Sequence, residues 1–238
     1  MLIETPDQIQ TIAWQGELVP SESLTKSFRL GLTKADGDIR SLVTLGQPEV
    51  WPVAEALEPQ LRQSWVRPLS DADFWRLRLA CTLHPVGRFQ TLVEAQQTLM
   101  LSPTQPGAVG NSTYAYSLFP ERLTAEEQRE MSLTLGPKLK IGKMEAEGAQ
   151  VGTKISYRKV FPVIQSYGAG ESIAYWIFKP HSAYPLEGCQ FVYAVVAAKA
   201  GAGGILATVE LTVSVDTDFG IIRLGLPTTA RAALNFSI

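Results

Sequence analysis

Residues 205–216 read Ile205-Leu206-Ala207-Thr208-Val209-Glu210-Leu211-Thr212-Val213-Ser214-Val215-Asp216. Ile205, Ala207, Val209, Leu211, Val213 and Val215 alternate with Leu206, Thr208, Glu210, Thr212, Ser214 and Asp216. A period of two is the pattern of a strand with one buried face. Just upstream, Gln190 to Ala198 is apolar at odd and even positions alike, as in a strand covered on both sides. Ala200-Gly201-Ala202-Gly203-Gly204 joins them, with the composition of a turn. Segment 188–216 is therefore expected to be a long antiparallel hairpin.

The first half carries a counterpart. Leu77, Leu79, Cys81 and Leu83 alternate with Arg76, Arg78, Ala80, Thr82 and His84, predicting one apolar face and one polar face. His84 to Arg88 supplies a turn, and Phe89 to Leu101 returns. This second expected hairpin spans 74–101. Shorter strands are predicted around Asp36-Gly37 (28–45), at Ala174 to Phe178 and at Ile221 to Leu226. Trp51, Leu57, Leu61 and Trp65 stand at near-helical spacing, predicting a short helix over 53–63. Thr124 with Glu127 three residues on fits a capping box for another short helix. Residues 108–122 read as an aromatic, turn-rich segment, and the tail after Pro227 has few apolar anchors. The fold class is mostly β: an antiparallel β-sandwich, as one large unit or two similar halves (1–122 and 123–238), with one or two short helices.

Composition narrows the function classes. The 238 residues are 45% hydrophobic and 18% charged, with a net charge of -2. Such a chain can bury a core and is not of disordered composition. No overall basic excess marks it as a nucleic-acid binder. Met1 to Asp7 lacks the features of a secretory signal, and no run approaches the ~18 apolar residues of a membrane helix. Cys81 and Cys189 are too few for a disulfide framework and sit in strand patterns as small hydrophobes. A cytoplasmic location is expected.

Chemistry-bearing residues are sparse. His84 and His181 are the two histidines, and no cluster has the local spacing of a metal site; no metal or cofactor is expected. His84, before Pro85, reads as an exposed loop residue. His181, Glu171 and Cys189 are the candidates for acid-base or nucleophilic work; the competing reading is a loop histidine, a turn carboxylate and a buried thiol. Asp216 and Asp218 suit a strand end better than a cation site. Tyr167, Tyr175, Trp176 and Tyr184 crowd around the Gly168-Ala169-Gly170 break, as a binding cluster or as core aromatics. Lys138, Lys140, Lys143, Lys154, Arg158 and Lys159 form a basic set on expected strands, as an anionic-ligand face or a solvated one.

Three functions follow. The leading one is a non-enzymatic sandwich that binds a protein partner or assembles with itself, since aromatics are plentiful and catalytic groups are few. The second is a small-ligand binder or hydrolase-like enzyme using the 167–184 loops. The third is a nucleic-acid-associated protein using the basic 138–159 strands.

Overall fold

The computed structural model describes residues 11–20, 42–53, 69–85, 91–108, 112–123, 131–134, 152–155, 163–180, 185–217 and 220–238. The predicted 28–41 part of the first hairpin, residues 54–63 of the predicted helix and the capping box at Thr124 lie outside these.

Two antiparallel sheets pack face to face. Sheet I contains β1 (Ile12–Glu17), β3 (Leu42–Gly46), β4 (Glu49–Pro52), β5 (Ala72–Leu83), β7 (Thr113–Phe119) and β13 (Gly188–Lys199). Its order is β1-β3-β5-β13-β7, with β4 also on β5. Sheet II contains β2 (Val19–Pro20), β6 (Thr91–Pro103), β8 (Arg122–Leu123), β11 (Val163–Tyr167), β12 (Ile173–Lys179), β14 (Ile205–Thr217), β15 (Gly220–Gly225) and β16 (Asn235–Ser237). Its order is β2-β15-β14-β6-β12-β11-β8, with β16 also on β14. A separate ribbon pairs β9 (Met131–Thr134) with β10 (Gly152–Ile155). One short helix, α1 (Thr228–Ala233), precedes β16. The expected β-sandwich is thus the fold observed.

The long strands lie where their periodicity places them, but their pairing differs from the expectation. β5 and β6 are not a hairpin, and neither are β13 and β14. Each turn carries the chain from one sheet to the other. β5 pairs with β13 from Ala72↔Lys199 to Leu83↔Gly188, and β6 pairs with β14 from Thr91↔Asp216 to Pro103↔Ile205. Both sheets therefore combine strands from either side of residue 123. The physical reason is burial. All four long strands carry an apolar face, and crossing between sheets turns both members of each pair toward one shared core.

That core takes Leu77, Leu79, Cys81 and Leu83 from β5, and Val192, Ala194, Val196 and Ala198 from β13. Ala95, Leu99 and Leu101 of β6 meet them, with Trp176 and Phe178 of β12 and the odd positions of β14. The clean alternation of 205–215 is reproduced as buried odd positions. The double burial predicted for β13 also holds: Val195 and Ala197 belong to a second cluster with Val53, Ala72 and Phe74 on the far side of sheet I. The second face of β5 departs from the expected polar surface, because Phe74, Arg76 and Ala80 are buried there.

Two further segments depart from expectation. Residues 113–119 of the turn-rich stretch form β7, on the edge of sheet I beside β13. The tail after Pro227 is anchored: Ala230 and Leu234 are buried, and Ile205 and Ile238 exchange backbone hydrogen bonds of 3.0 and 2.8 Å.

Candidate interaction face

The outer surface of sheet II is built by alternation. On β12, Ala174, Trp176 and Phe178 enter the core, so Ile173, Tyr175, Ile177 and Lys179 face outward. The register then assembles neighbours. Tyr167 of β11 stands opposite Tyr175, and their rings stack with centroids 5.1 Å apart and planes 21° apart. Tyr175 stands opposite Thr98, and Ile173 opposite Met100. Met100 in turn is opposite Thr208, and Leu206 lies two residues along β14.

The result is an apolar and aromatic corner. Tyr167 is 39% exposed, Ile173 53% and Leu206 43%, with Tyr175 and Met100 half-buried between them. Next to the corner, Gln96, Thr98, Thr208 and Thr212 form a half-buried neutral band; Gln96 Nε2 donates to Thr98 Oγ1 at 3.1 Å. Glu210 interrupts this band, opposite Thr98 and between Thr208 and Thr212; the remaining charges stand farther out. Glu94 lies between Lys179 Nζ at 3.8 Å and Arg223 at 3.7 Å, and Glu210 meets Arg231 at 3.5 Å. These exposed pairs contribute little stability.

A glycine turn holds the corner against the other sheet. Gly168 and Gly170 have φ of +90° and +88°, values open to glycine at no steric cost. In this turn the Gly170 N–H donates to the Ala115 carbonyl at 2.7 Å, and the Ala115 N–H donates to the Glu171 carbonyl at 2.9 Å. The hairpin tip of sheet II is thereby bonded to β7 of sheet I, fixing the strand ends that carry Tyr167 and Ile173.

The structure sorts the residues singled out in the sequence. Tyr167 and Tyr175 come together, whereas Trp176 is fully buried in the core and takes no part in that face. Glu171 is exposed in the turn and acts there through its backbone. Cys189 is half-buried, in register with Thr82; Cys81 is a core thiol, its pKa pushed up by burial, with Cys189 adding to the shift. His84 is half-buried rather than an exposed loop residue, with Nε2 2.8 Å from Thr44 Oγ1. His181, Tyr184, Lys138, Lys140, Lys143, Arg158 and Lys159 lie outside the described residues, as does the side chain of Lys154, whose backbone belongs to β10. Among the described residues no group of three metal-ligating side chains occurs, and no helix is long and apolar enough to cross a membrane.

Sequence reasoning missed Ile173, Met100 and Leu206. Leu206 left a signal, being apolar on the polar side of an otherwise regular alternation. Ile173 and Met100 reach the corner through register, which strand periodicity does not specify.

A second constellation lies on the outer face of sheet I. The Arg76 guanidinium lies 5.1 Å from the Tyr193 ring centroid and 5.9 Å from that of Trp51. Arg78 lies 5.6 Å from Phe191 and 5.9 Å from Trp51, and pairs with Glu49 at 2.5 Å. Burial lowers the Arg76 pKa, with Arg78 adding to the shift and Tyr193 opposing it. Burial raises the Tyr193 pKa, against the pull of the two arginines.

No protein-family model matches the chain, and no curated protein sequence does. Solved structures similar in fold include one described as a pore forming protein, at 11% identity and TM-score 0.39, covering 87% of this chain and 93% of that one. Clostridium perfringens delta-toxin is similar at 9% identity and TM-score 0.37, covering 87% and 94%. The membrane-inserted form of the Clostridium perfringens NetB toxin is similar at 7% identity and TM-score 0.33, covering 94% and 93%.

Proposed function

We propose that this protein is a non-enzymatic β-sandwich that acts by binding a protein partner or further copies of itself through the outer face of sheet II. The observation that carries this reading is the exposed corner of Tyr167, Ile173 and Leu206 with the stacked Tyr175. A contiguous apolar patch on a sheet face favours contact with another surface over contact with water. Its arrangement, with aromatic and aliphatic groups at one corner and polar side chains and ion pairs beside them, resembles an interface centre and its rim.

The test is a photoreactive residue at position 173, irradiated in native extract and in purified protein. A discrete cross-linked partner or homo-oligomer is expected, lost in Tyr167→Ala/Leu206→Asp protein that unfolds at the wild-type midpoint. A monomer with no specific cross-link under either condition would overturn the proposal.

A second reading rests on the β9–β10 ribbon. Met131, Leu133, Leu135, Leu139 and Ile141 alternate with Ser132, Thr134, Lys138 and Lys140 around Gly136-Pro137. Val151, Ile155 and Tyr157 alternate with Gly152, Lys154, Ser156 and Arg158. The register sets Met131 opposite Ile155 and Leu133 opposite Thr153. Alternating segments of about ten residues match a β-strand that crosses a bilayer, and a lone two-stranded ribbon is marginal in water. In this reading ribbons of several copies close into a barrel, and the chain releases dye from lipid vesicles. Leu133→Lys removes the release while Lys138→Gln keeps it; intact vesicles at saturating protein would exclude this second reading.

A further inference from the structure

On the outer face of sheet I, the two neighbouring guanidinium groups of Arg76 and Arg78 are partnered differently. Glu49 is paired with Arg78. Arg76 is 7% exposed, it has no acidic partner among the described residues, and its Nε has no hydrogen-bond partner there. The Tyr193 and Trp51 rings offset part of the cost of burying this cation. They cannot satisfy the Nε–H, which points outward in the guanidinium plane. A buried N–H left without an acceptor is costly, and the group that matches a planar fork is a carboxylate or phosphate accepting two parallel hydrogen bonds. Trp51, at 36% exposure, marks the solvent side of the cluster.

We infer that the Trp51–Arg76–Tyr193 cluster is a binding site for an oxyanion, a carboxylate or a phosphate, held by the edge of Arg76 between two aromatic rings. The site is independent of the sheet II face. It is tested by following the arginine Nε–H signals by nitrogen-15 NMR while inorganic phosphate and acetate are added separately at ionic strength matched with chloride. A saturable shift of the Arg76 signal is expected. Phosphate acting alone identifies a phosphate site, and acetate alone a carboxylate site. Trp51→Ala weakens the response on the order of tenfold, and Arg76→Lys does the same by replacing the fork with a point charge; Arg231→Gln leaves it unchanged. An Arg76 signal that follows neither anion, in wild-type protein of normal stability, overturns the inference and leaves the cluster a packing element.

Discussion

Tyr193 and Gly168 show how single side chains are constrained by the sandwich. The Tyr193 hydroxyl is buried, and burial holds its pKa above the ordinary tyrosine value. The folded state therefore keeps this proton at a pH where the unfolded chain has lost it. The stabilising contribution is complete below the unfolded pKa of about 10 and is lost as pH rises through the folded value. Tyr114 and Tyr116 are shifted up by burial as well, so stability is expected to fall at the alkaline end. Tyr193→Phe makes that fall shallower; denaturation midpoints from pH 8 to 11 measure it, and parallel profiles would refute the assignment. At Gly168 an added Cβ meets the Ile173 carbonyl oxygen at 2.2 Å and φ is +90°. Gly170 has a similar φ but open space around the added atom. Gly168→Ala is expected to cost several kcal/mol, combining about 1–3 kcal/mol of backbone strain with the clash, and Gly170→Ala about 1 kcal/mol. Urea denaturation ranks the two. In the core, Trp176→Ala leaves a cavity worth about 3–5 kcal/mol.

The C-terminal element illustrates what strand and helix patterns convey. Residues 228–238 carry three large apolar side chains, Leu234, Phe236 and Ile238, among alanines and polar residues without a clear period, which is why the sequence read as a loose tail. Yet Ala230 and Leu234 are buried, and β16 adds three register pairs to β14. Phe236 and Ile238 also pack part-buried against the core, and the β14 they join is already fixed by β6 and β15. A chain ending at Leu226 is expected to unfold several kcal/mol more easily by urea denaturation, since it uncovers Leu234's site and frees the Ile205 backbone groups; an unchanged midpoint would return the tail to the status of an ornament. The same contrast governs the rest. Strands β5 and β14 were legible from apolar period two, β13 from a continuous apolar run, and β6, β12 and β15 from apolar or aromatic stretches beside turn residues, all of them local properties. Their partners were not, since Leu77 meets Ala194 across more than a hundred residues, a choice made by core burial rather than by the intervening turn. The site divided in the same way. Tyr167 and Tyr175 were visible as aromatics beside a glycine break, while Trp176 between them belongs to the opposite face, as adjacent strand residues must.

For the whole molecule, the decisive feature is that each turn between long strands is a crossing between sheets. Had 74–101 and 188–216 been hairpins, each half could have satisfied most of its long-strand hydrogen bonds alone. Instead the twelve register pairs of β5 with β13 and the twelve of β6 with β14 all join residues before 104 to residues after 187. Neither half then contains a complete central ladder, and each exposes an apolar strand face and open strand edges. Folding must close loops of roughly a hundred residues before these contacts form, which places the chain among slow folders, in milliseconds to seconds or longer. The corresponding experiment expresses 1–122 and 123–238 separately and together. Each fragment alone is expected to lack a cooperative thermal transition and to aggregate. Co-expression is expected to yield a one-to-one complex whose transition resembles that of the intact chain, because the missing covalent link costs only the entropy of association. Two fragments that melt cooperatively on their own would mean that each half carries its own core, and that the shared ladders are an interface between domains rather than the fold itself.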